Sequence, residues 1–311
     1  MKDSKVKTVA VIPAYNEEYS IAKVILGTKR YVDRVIVCDD GSKDMTSVIA
    51  KELGATVVRH EENRGKGEAL RTLYKEIAEL NPDIIITVDG DGQHDPHEIP
   101  MLVKPIEAGE SDVVIGSRYV DGGRMDAPFY RKFGLRVINF LYKKVAGLQV
   151  KDTQCGFRAY SRKAFEFLMQ GDEKGYGIEG EQLVLASRNG IRLTEVPISV
   201  RYNGLGVTSK KSALLHGADL IATLFRLAVE KKPLKYLGLP GIGLTCIGAI
   251  LGLYLLLMFS ITGDFGIPTA ILTVGVLIVG VLLIVVAITL TELKRINEKI
   301  NGFKKRAHAE N

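Results

Sequence analysis

No charged residue occurs between Lys235 and Asp264, or between Asp264 and Glu292. Each gap exceeds the roughly 20 apolar residues that cross a bilayer as a helix. Residues 236–262 and 267–290 are therefore expected to form two transmembrane helices, joined at Asp264 by a very short turn into a hairpin. A buried hairpin in a soluble core is the rival reading, but two adjacent uncharged segments are longer than such a core needs. Lys231, Lys232 and Lys235 precede the first span, and Lys294, Arg295 and Lys299 follow the second. The turn has no basic residue, so the positive-inside rule puts both termini in the cytoplasm. The apolar run at residues 9–12 is short and stopped by Pro13, unlike a signal peptide. The expected layout is a cytoplasmic domain over 1–208, an interfacial amphipathic helix over 209–234, the hairpin over 235–291 and a cytoplasmic tail over 292–311.

The first half alternates strand and helix signals. Apolar runs at 8–12, 34–38, 56–59, 84–88 and 112–116 read as strands. Helical patterns at 17–26, 45–53, 65–80 and 95–108 separate them. This alternation argues for an open, mostly parallel sheet with helices on both faces. In such sheets ligands sit at the carboxyl ends of the strands. Polar clusters at residues 13–18, 39–44 and 89–95 all fall at those ends.

The third cluster is the most specific: Asp89-Gly90-Asp91-Gly92-Gln93-His94-Asp95 follows the strand. In an extended backbone residues two apart share a side, so Asp89, Asp91 and Gln93 form one row. Gly90 and Gly92 leave room for a ligand near the backbone. Two carboxylates and an amide oxygen suit a hard cation such as Mg²⁺ or Mn²⁺ holding a diphosphate. An Asp/Gly turn with solvated carboxylates also fits this stretch taken alone.

The formal net charge of +6 suits a surface facing anionic lipid. No zinc finger or RNA-binding signature supports nucleic acid as a partner. Cys38, Cys155 and Cys246 lack metal-site spacing and read as small hydrophobes. Residues 129–145 and 212–229 combine apolar residues at helical spacing with basic groups. Each suits a helix at a membrane surface or one packed on the sheet. Leu293, Ile296, Ile300 and Phe303 give the tail a stripe that suits packing on the domain or on a second copy, as a homo-oligomer.

Pro13-Ala14-Tyr15-Asn16-Glu17-Glu18, Asp39-Asp40-Gly41-Ser42, Asn63-Arg64-Gly65-Lys66-Gly67 and Asp89-Gly90-Asp91-Gly92-Gln93-His94 resemble, in order, the motifs of family 2 glycosyltransferases with the GT-A fold. Asp152-Thr153-Gln154-Cys155-Gly156-Phe157-Arg158 is similar to the dolichyl-phosphate mannose and glucose synthase branch. The resemblance implies an α/β, Rossmann-like GT-A sheet followed by the two-helix hairpin. It implies that Pro13, Ala14, Tyr15 and Glu17 line a nucleotide base pocket, with Asp40 near the base or ribose. Asp89 would contact the donor, while Asp91 and Gln93 hold the metal on the diphosphate. Arg118 would lie near the active site. Arg131 and Arg201 are the candidates for the acceptor phosphate, although each basic residue also suits a solvated surface or a lipid anchor.

The expected reaction is inverting transfer of one sugar from a UDP- or GDP-sugar to dolichyl or polyprenyl phosphate. The motif at residues 152–157 leans toward glucose and UDP, with N-acetylglucosamine and mannose open. Lys66 or Arg64 would add positive charge at the diphosphate, or simply cap a helix. Processive polysaccharide synthases of the superfamily carry Gln-x-x-Arg-Trp, and this chain has no Trp. The rival functions are a membrane-tethered transferase with a non-lipid acceptor and a non-enzymatic nucleotide-binding scaffold.

Overall fold

The computed structural model describes residues 7–168, 178–201, 222, 225–226, 228–263 and 266–309. The chain divides into two units, Met1–Thr223 and Leu224–Asn311. The first is built on a seven-stranded sheet in the order β3-β2-β1-β4-β7-β5-β8. Its strands are β1 Thr8–Ala14, β2 Arg34–Asp39, β3 Thr56–Arg59, β4 Ile84–Thr87, β5 Val113–Ser117, β7 Arg158–Ser161 and β8 Leu193–Pro197. A second, two-stranded sheet pairs β6 Arg124–Asp126 with β9 Ser199–Arg201 in parallel.

The alternating pattern of the first half produces the expected parallel strands. Val9, Ala10, Val11 and Ile12 are all fully buried. Such a run, apolar on both faces, belongs in a sheet covered by helices on both sides. Helices α1 Ile21–Thr28, α2 Thr46–Glu52, α3 Lys66–Ala78 and α4 Ile99–Glu107 supply the connections. The expected helix over 95–108 begins as a 3-10 turn, Pro96–Glu98, with the Asp95 carboxylate accepting from the His97 amide.

One strand departs from the alternation. β7 runs antiparallel to both its neighbours, β4 and β5. It is fed by the 152–157 loop, which is thereby brought against the end of β4. Helix α1 also starts later than its pattern suggests. Residues 17–20 form a turn instead, because the Glu17 amide donates to Thr46 Oγ1 and the Ser20 hydroxyl to the Gly90 carbonyl. Helices α5 Phe129–Ala146, α6 Arg162–Leu168 and α7 Ile178–Arg188 complete the unit.

In the second unit a π-helical turn, Leu234–Gly238, leads into α8 Leu239–Thr262 and then α9 Ile267–Ala309. Residues Leu234–Thr262 and Ile267–Ile296 are long and apolar enough to cross a membrane. The two helices pack antiparallel through glycines. A Cβ at Gly248 would sit 2.6 Å from Leu277 Cγ, and one at Gly241 would sit 2.9 Å from the Gly280 carbonyl oxygen. Small residues at such contacts let helix backbones approach, which is how helices associate without a hydrophobic drive. Helix α9 runs unbroken from the second of these segments to Ala309. The expected helix at 212–229 and Asp264 fall almost wholly outside the described residues.

Candidate active site

The three polar clusters meet at the carboxyl ends of β1, β2 and β4, and much of their chemistry is spent on one another. Asn16 takes a left-handed conformation (φ 55°). Its amide donates to Ser42 Oγ at 2.8 Å, and its side-chain oxygen accepts from the Lys43 amide at 2.9 Å. Glu18 accepts from the Met45 amide, and Asp44 accepts from the Glu18 amide. The β1–α1 and β2–α2 loops are thus one stitched rim, with Pro13 and Tyr15 half-buried on it and Ala14 buried. Gly41 (φ 75°) is required at the seam, because a Cβ there would lie 2.6 Å from the backbone of Glu62.

Asp40 spends its carboxylate on the protein's own groups. It is buried, and its Oδ1 receives the Arg64 amide at 2.9 Å while Oδ2 receives the Gly65 amide at 2.8 Å. Oδ1 also lies 2.7 Å from Nδ1 of buried His60. His60 Nε2 in turn lies 2.9 Å from Thr72 Oγ1, on α3. With the Nδ1 proton donated to Asp40, Nε2 accepts the Thr72 hydroxyl. Cys38 stands 3.7 Å from the same nitrogen, and burial pushes its thiol up to about 12, so it stays protonated. Asp40, His60 and Thr72 therefore pin both the N-terminus and the body of α3 to the sheet. Sequence reading missed His60 and Thr72, because neither belongs to a spaced motif.

The first residue of α3 is Lys66, and its Nζ lies 2.7 Å from Asp89 Oδ1. Asp89 Oδ2 is 3.7 Å from Nε2 of buried His94, whose ring stacks on Phe157. Burial opposes the Asp89 charge, but the Lys66 ammonium and His94 outweigh it and hold the carboxyl well below its usual range. Asp91 is pushed the other way, by burial and then by the charge of Asp89. Glu17 is raised to about 7, first by burial and then by Asp91. The structure thus brings Glu17, Asp89 and Asp91 into one electrostatic group with Lys66. Among the described residues, no three His, Cys, Asp or Glu side chains converge in metal-binding geometry.

The backbone around this group is tightly organised. Gly90 packs on Pro13 and Ala14, where a Cβ would come within 3.1 Å of the Ala14 side chain. The Gln93 amide donates to Asp91 Oδ1 at 3.0 Å, and its carbonyl accepts from the Arg201 amide at 3.0 Å. Glu98 accepts from the Ser199 amide, so β9 is held beside the acidic motif and carries Arg201 there. Gly156, which the sequence motif included without a role of its own, lies against the Lys66–Asp89 pair. A Cβ on it would meet Lys66 Nζ at 2.9 Å and Asp89 Oδ2 at 2.8 Å. The Thr87 hydroxyl fixes it by donating to its carbonyl at 2.6 Å.

The other basic candidates are placed differently. Arg118 is buried in a two-pronged pair with Asp152, at 2.6 and 2.7 Å. Its guanidinium is committed to the fold of the 152–158 loop, which fully buried Arg158 braces by donating to the carbonyls of Cys155 and Thr153. Arg131 is exposed on the first turn of α5.

A mostly parallel sheet with an acidic, lysine-paired rim at its carboxyl edge is the frame of a GT-A glycosyltransferase. Residues 9–169 match the model of glycosyl transferase family 2, and the chain belongs to that family. It is 35% identical over 212 residues to the UDP-N-acetylglucosamine–dolichyl-phosphate N-acetylglucosaminyltransferase of Methanococcus voltae, covering 62% of this chain and 84% of that one. It is 29% identical over 233 residues to the polyprenol monophosphomannose synthase of Mycolicibacterium smegmatis, covering 71% and 86%. Among solved structures it resembles glucosyl-3-phosphoglycerate synthase from Mycobacterium tuberculosis in complex with Mn²⁺, UDP and glucosyl-3-phosphoglycerate. That match has a TM-score of 0.57 and 27% identity, over 72% of this chain and 80% of that one. The same synthase is known with Mg²⁺ and UDP.

Proposed function

We propose that this glycosyltransferase moves one sugar from a nucleoside diphosphate sugar to a polyprenyl phosphate at the cytoplasmic face of a membrane. The observation that carries the reading is the Glu17, Asp89, Asp91 and Lys66 group at the sheet rim, in a chain that also holds two membrane-length helices. The named relatives support a polyprenyl phosphate acceptor, and the solved neighbour supports a UDP donor.

The rim fits a divalent cation. Burial and then the charge of Asp89 raise Asp91, and burial and then Asp91 raise Glu17, a crowding of buried carboxylates that a bound cation would relieve. Asp91, with Asp89 and the Gln93 amide oxygen, would hold Mg²⁺ or Mn²⁺, which neutralises charge on a departing diphosphate. Lys66 stands at the head of α3, where its ammonium reaches Asp89 and would meet an incoming phosphate. Pro13, Ala14, Tyr15 and Glu17 form the wall available to the base. Asp40 acts from beneath, by setting the loop that carries Arg64 and Lys66.

The attacking group is a phosphate oxygen. A phosphate monoester has its second pKa near 6, so it is largely ionised at about pH 7 and needs no general base. Direct displacement inverts the anomeric carbon. Arg131 and Arg201 are assigned to the acceptor phosphate, because guanidinium pairs with phosphate through a planar fork. Arg118 serves as a positioning residue for that side of the site.

The test is a panel of radiolabelled UDP- and GDP-sugars with membranes containing the protein, polyprenyl phosphate and Mn²⁺. Labelled lipid from one donor is the expected result. Label appearing only in a water-soluble acceptor such as 3-phosphoglycerate would move the protein to the tethered, non-lipid reading.

A further inference from the structure

Helix α5 carries a surface that the reaction does not use. Its face toward the 152–158 loop is fixed: Tyr142 is fully buried, and the Asn139 side chain accepts from both the amide and the hydroxyl of Thr153. The opposite face holds Phe129, Phe133, Val137 and Phe140, which recur at helical spacing within about 80° of arc at 3.6 residues per turn. The three phenylalanines are 79%, 59% and 59% exposed in that order. Phe129 and Phe133 stack on each other rather than on the domain. An exposed aromatic row of this kind marks a surface that something covers.

The charges beside it say what. Lys132, Arg136 and Lys143 flank the row, and among the described residues no carboxylate pairs with any of them. Lys144 lies over the Phe140 ring at 5.7 Å. A hollow of about 230 Å³ opens beside Phe140, with Arg136, Lys143 and Lys151 on its rim and no acidic residue among the described residues of its wall. Aromatic rings beside cations that have no carboxylate partner among the described residues suit the boundary between lipid phosphates and acyl chains.

We infer that α5 is a membrane-docking surface of the glycosyltransferase domain. Its phenylalanines enter an anionic leaflet, and Arg136, Lys143 and Lys151 hold a lipid headgroup phosphate in the hollow. This rests on the membrane reading of the hairpin, and it adds a second, peripheral attachment.

The chain has no Trp, so one substitution creates a clean reporter. Full-length Phe133→Trp and Ile278→Trp, the latter on α9, are reconstituted separately in nanodiscs with acyl chains brominated or not. Bromine is expected to quench the indole of Phe133→Trp at least twofold, with protection from aqueous iodide. Replacing phosphatidylglycerol by phosphatidylcholine, or adding Arg136→Glu and Lys143→Glu, is expected to weaken that quenching. Bromine quenching of Ile278→Trp with only iodide quenching of Phe133→Trp overturns the α5 surface and keeps the hairpin. The reverse pattern keeps α5 and sinks the hairpin. An indole at 133 shielded from both quenchers means that protein covers the row, which also overturns the proposal.

Discussion

The ammonium of Lys66 stands 2.7 Å from the carboxylate of Asp89, and the pair rests directly on the bare Cα of Gly156. One methyl group at 156 would push two charged side-chain ends apart without touching the core. Gly156→Ala is therefore expected to fold normally and to lose on the order of 10²-fold in kcat, the usual penalty for a misplacement near 1 Å. A melting temperature and a single-turnover rate measured together check this. Unchanged turnover would remove Gly156 from the site.

Asp91 bears the cation in the proposed chemistry. Asp91→Ala should lose at least roughly 10³-fold in metal-dependent transfer, matching several kcal/mol of lost charge stabilisation. The fold should survive, because burial and repulsion from Asp89 already disfavour the charge of this carboxylate. Near-normal turnover in the variant would count against the assignment.

Glu17 gives the site a pH dependence near neutrality. Its pKa in the fold is about 7 against an ordinary 4.5, so the folded protein holds this proton more tightly than the unfolded chain does. Its contribution to stability is therefore full below about 4.5 and is lost as pH rises through about 7. Cation binding runs the opposite way, since ionised Glu17 adds negative charge to the group. Mn²⁺ affinity, read by calorimetry, should rise between about pH 6 and about pH 8, and Glu17→Gln should flatten that rise.

Removing His60 leaves a buried carboxylate short of a partner. His60→Ala should destabilise the protein by about 3 kcal/mol, whereas Thr72→Val, which removes a neutral hydrogen bond, should cost about 1 kcal/mol. Because Asp40 sets the loop bearing Lys66, His60→Ala should also raise the KM for donor more than that for acceptor. Chemical denaturation and steady-state kinetics on the same preparations separate the two effects.

Arg118 and Arg131 should fail in different ways. Breaking the buried pair of Arg118 with Asp152 is expected to cost about 3–5 kcal/mol of stability. Exposed Arg131→Ala should leave the melting temperature unchanged and raise the KM for polyprenyl phosphate. An unchanged acceptor KM would take Arg131 out of the phosphate site.

Patterns that depend on neighbours along the chain were legible without a structure. The fully apolar strands, the charge-free spans and the polar clusters after β1, β2 and β4 follow from periodicity and solvation, which act over a few residues. The resemblance of those clusters then named the family. Long-range meetings were not legible. The antiparallel insertion of β7 brings Gly156 under Lys66 and Asp89, and Arg118 finds Asp152 thirty-four positions away. His60, just past β3, joins Asp40 to Thr72 on α3. Which side chain a carboxylate meets depends on which distant segments the fold packs together, and local spacing carries no record of that. The sequence by itself determined the parallel strands, the two apolar helices and the polar clusters at the strand ends, because these follow from local periodicity and solvation; tertiary packing alone decided which charged residues meet one another there.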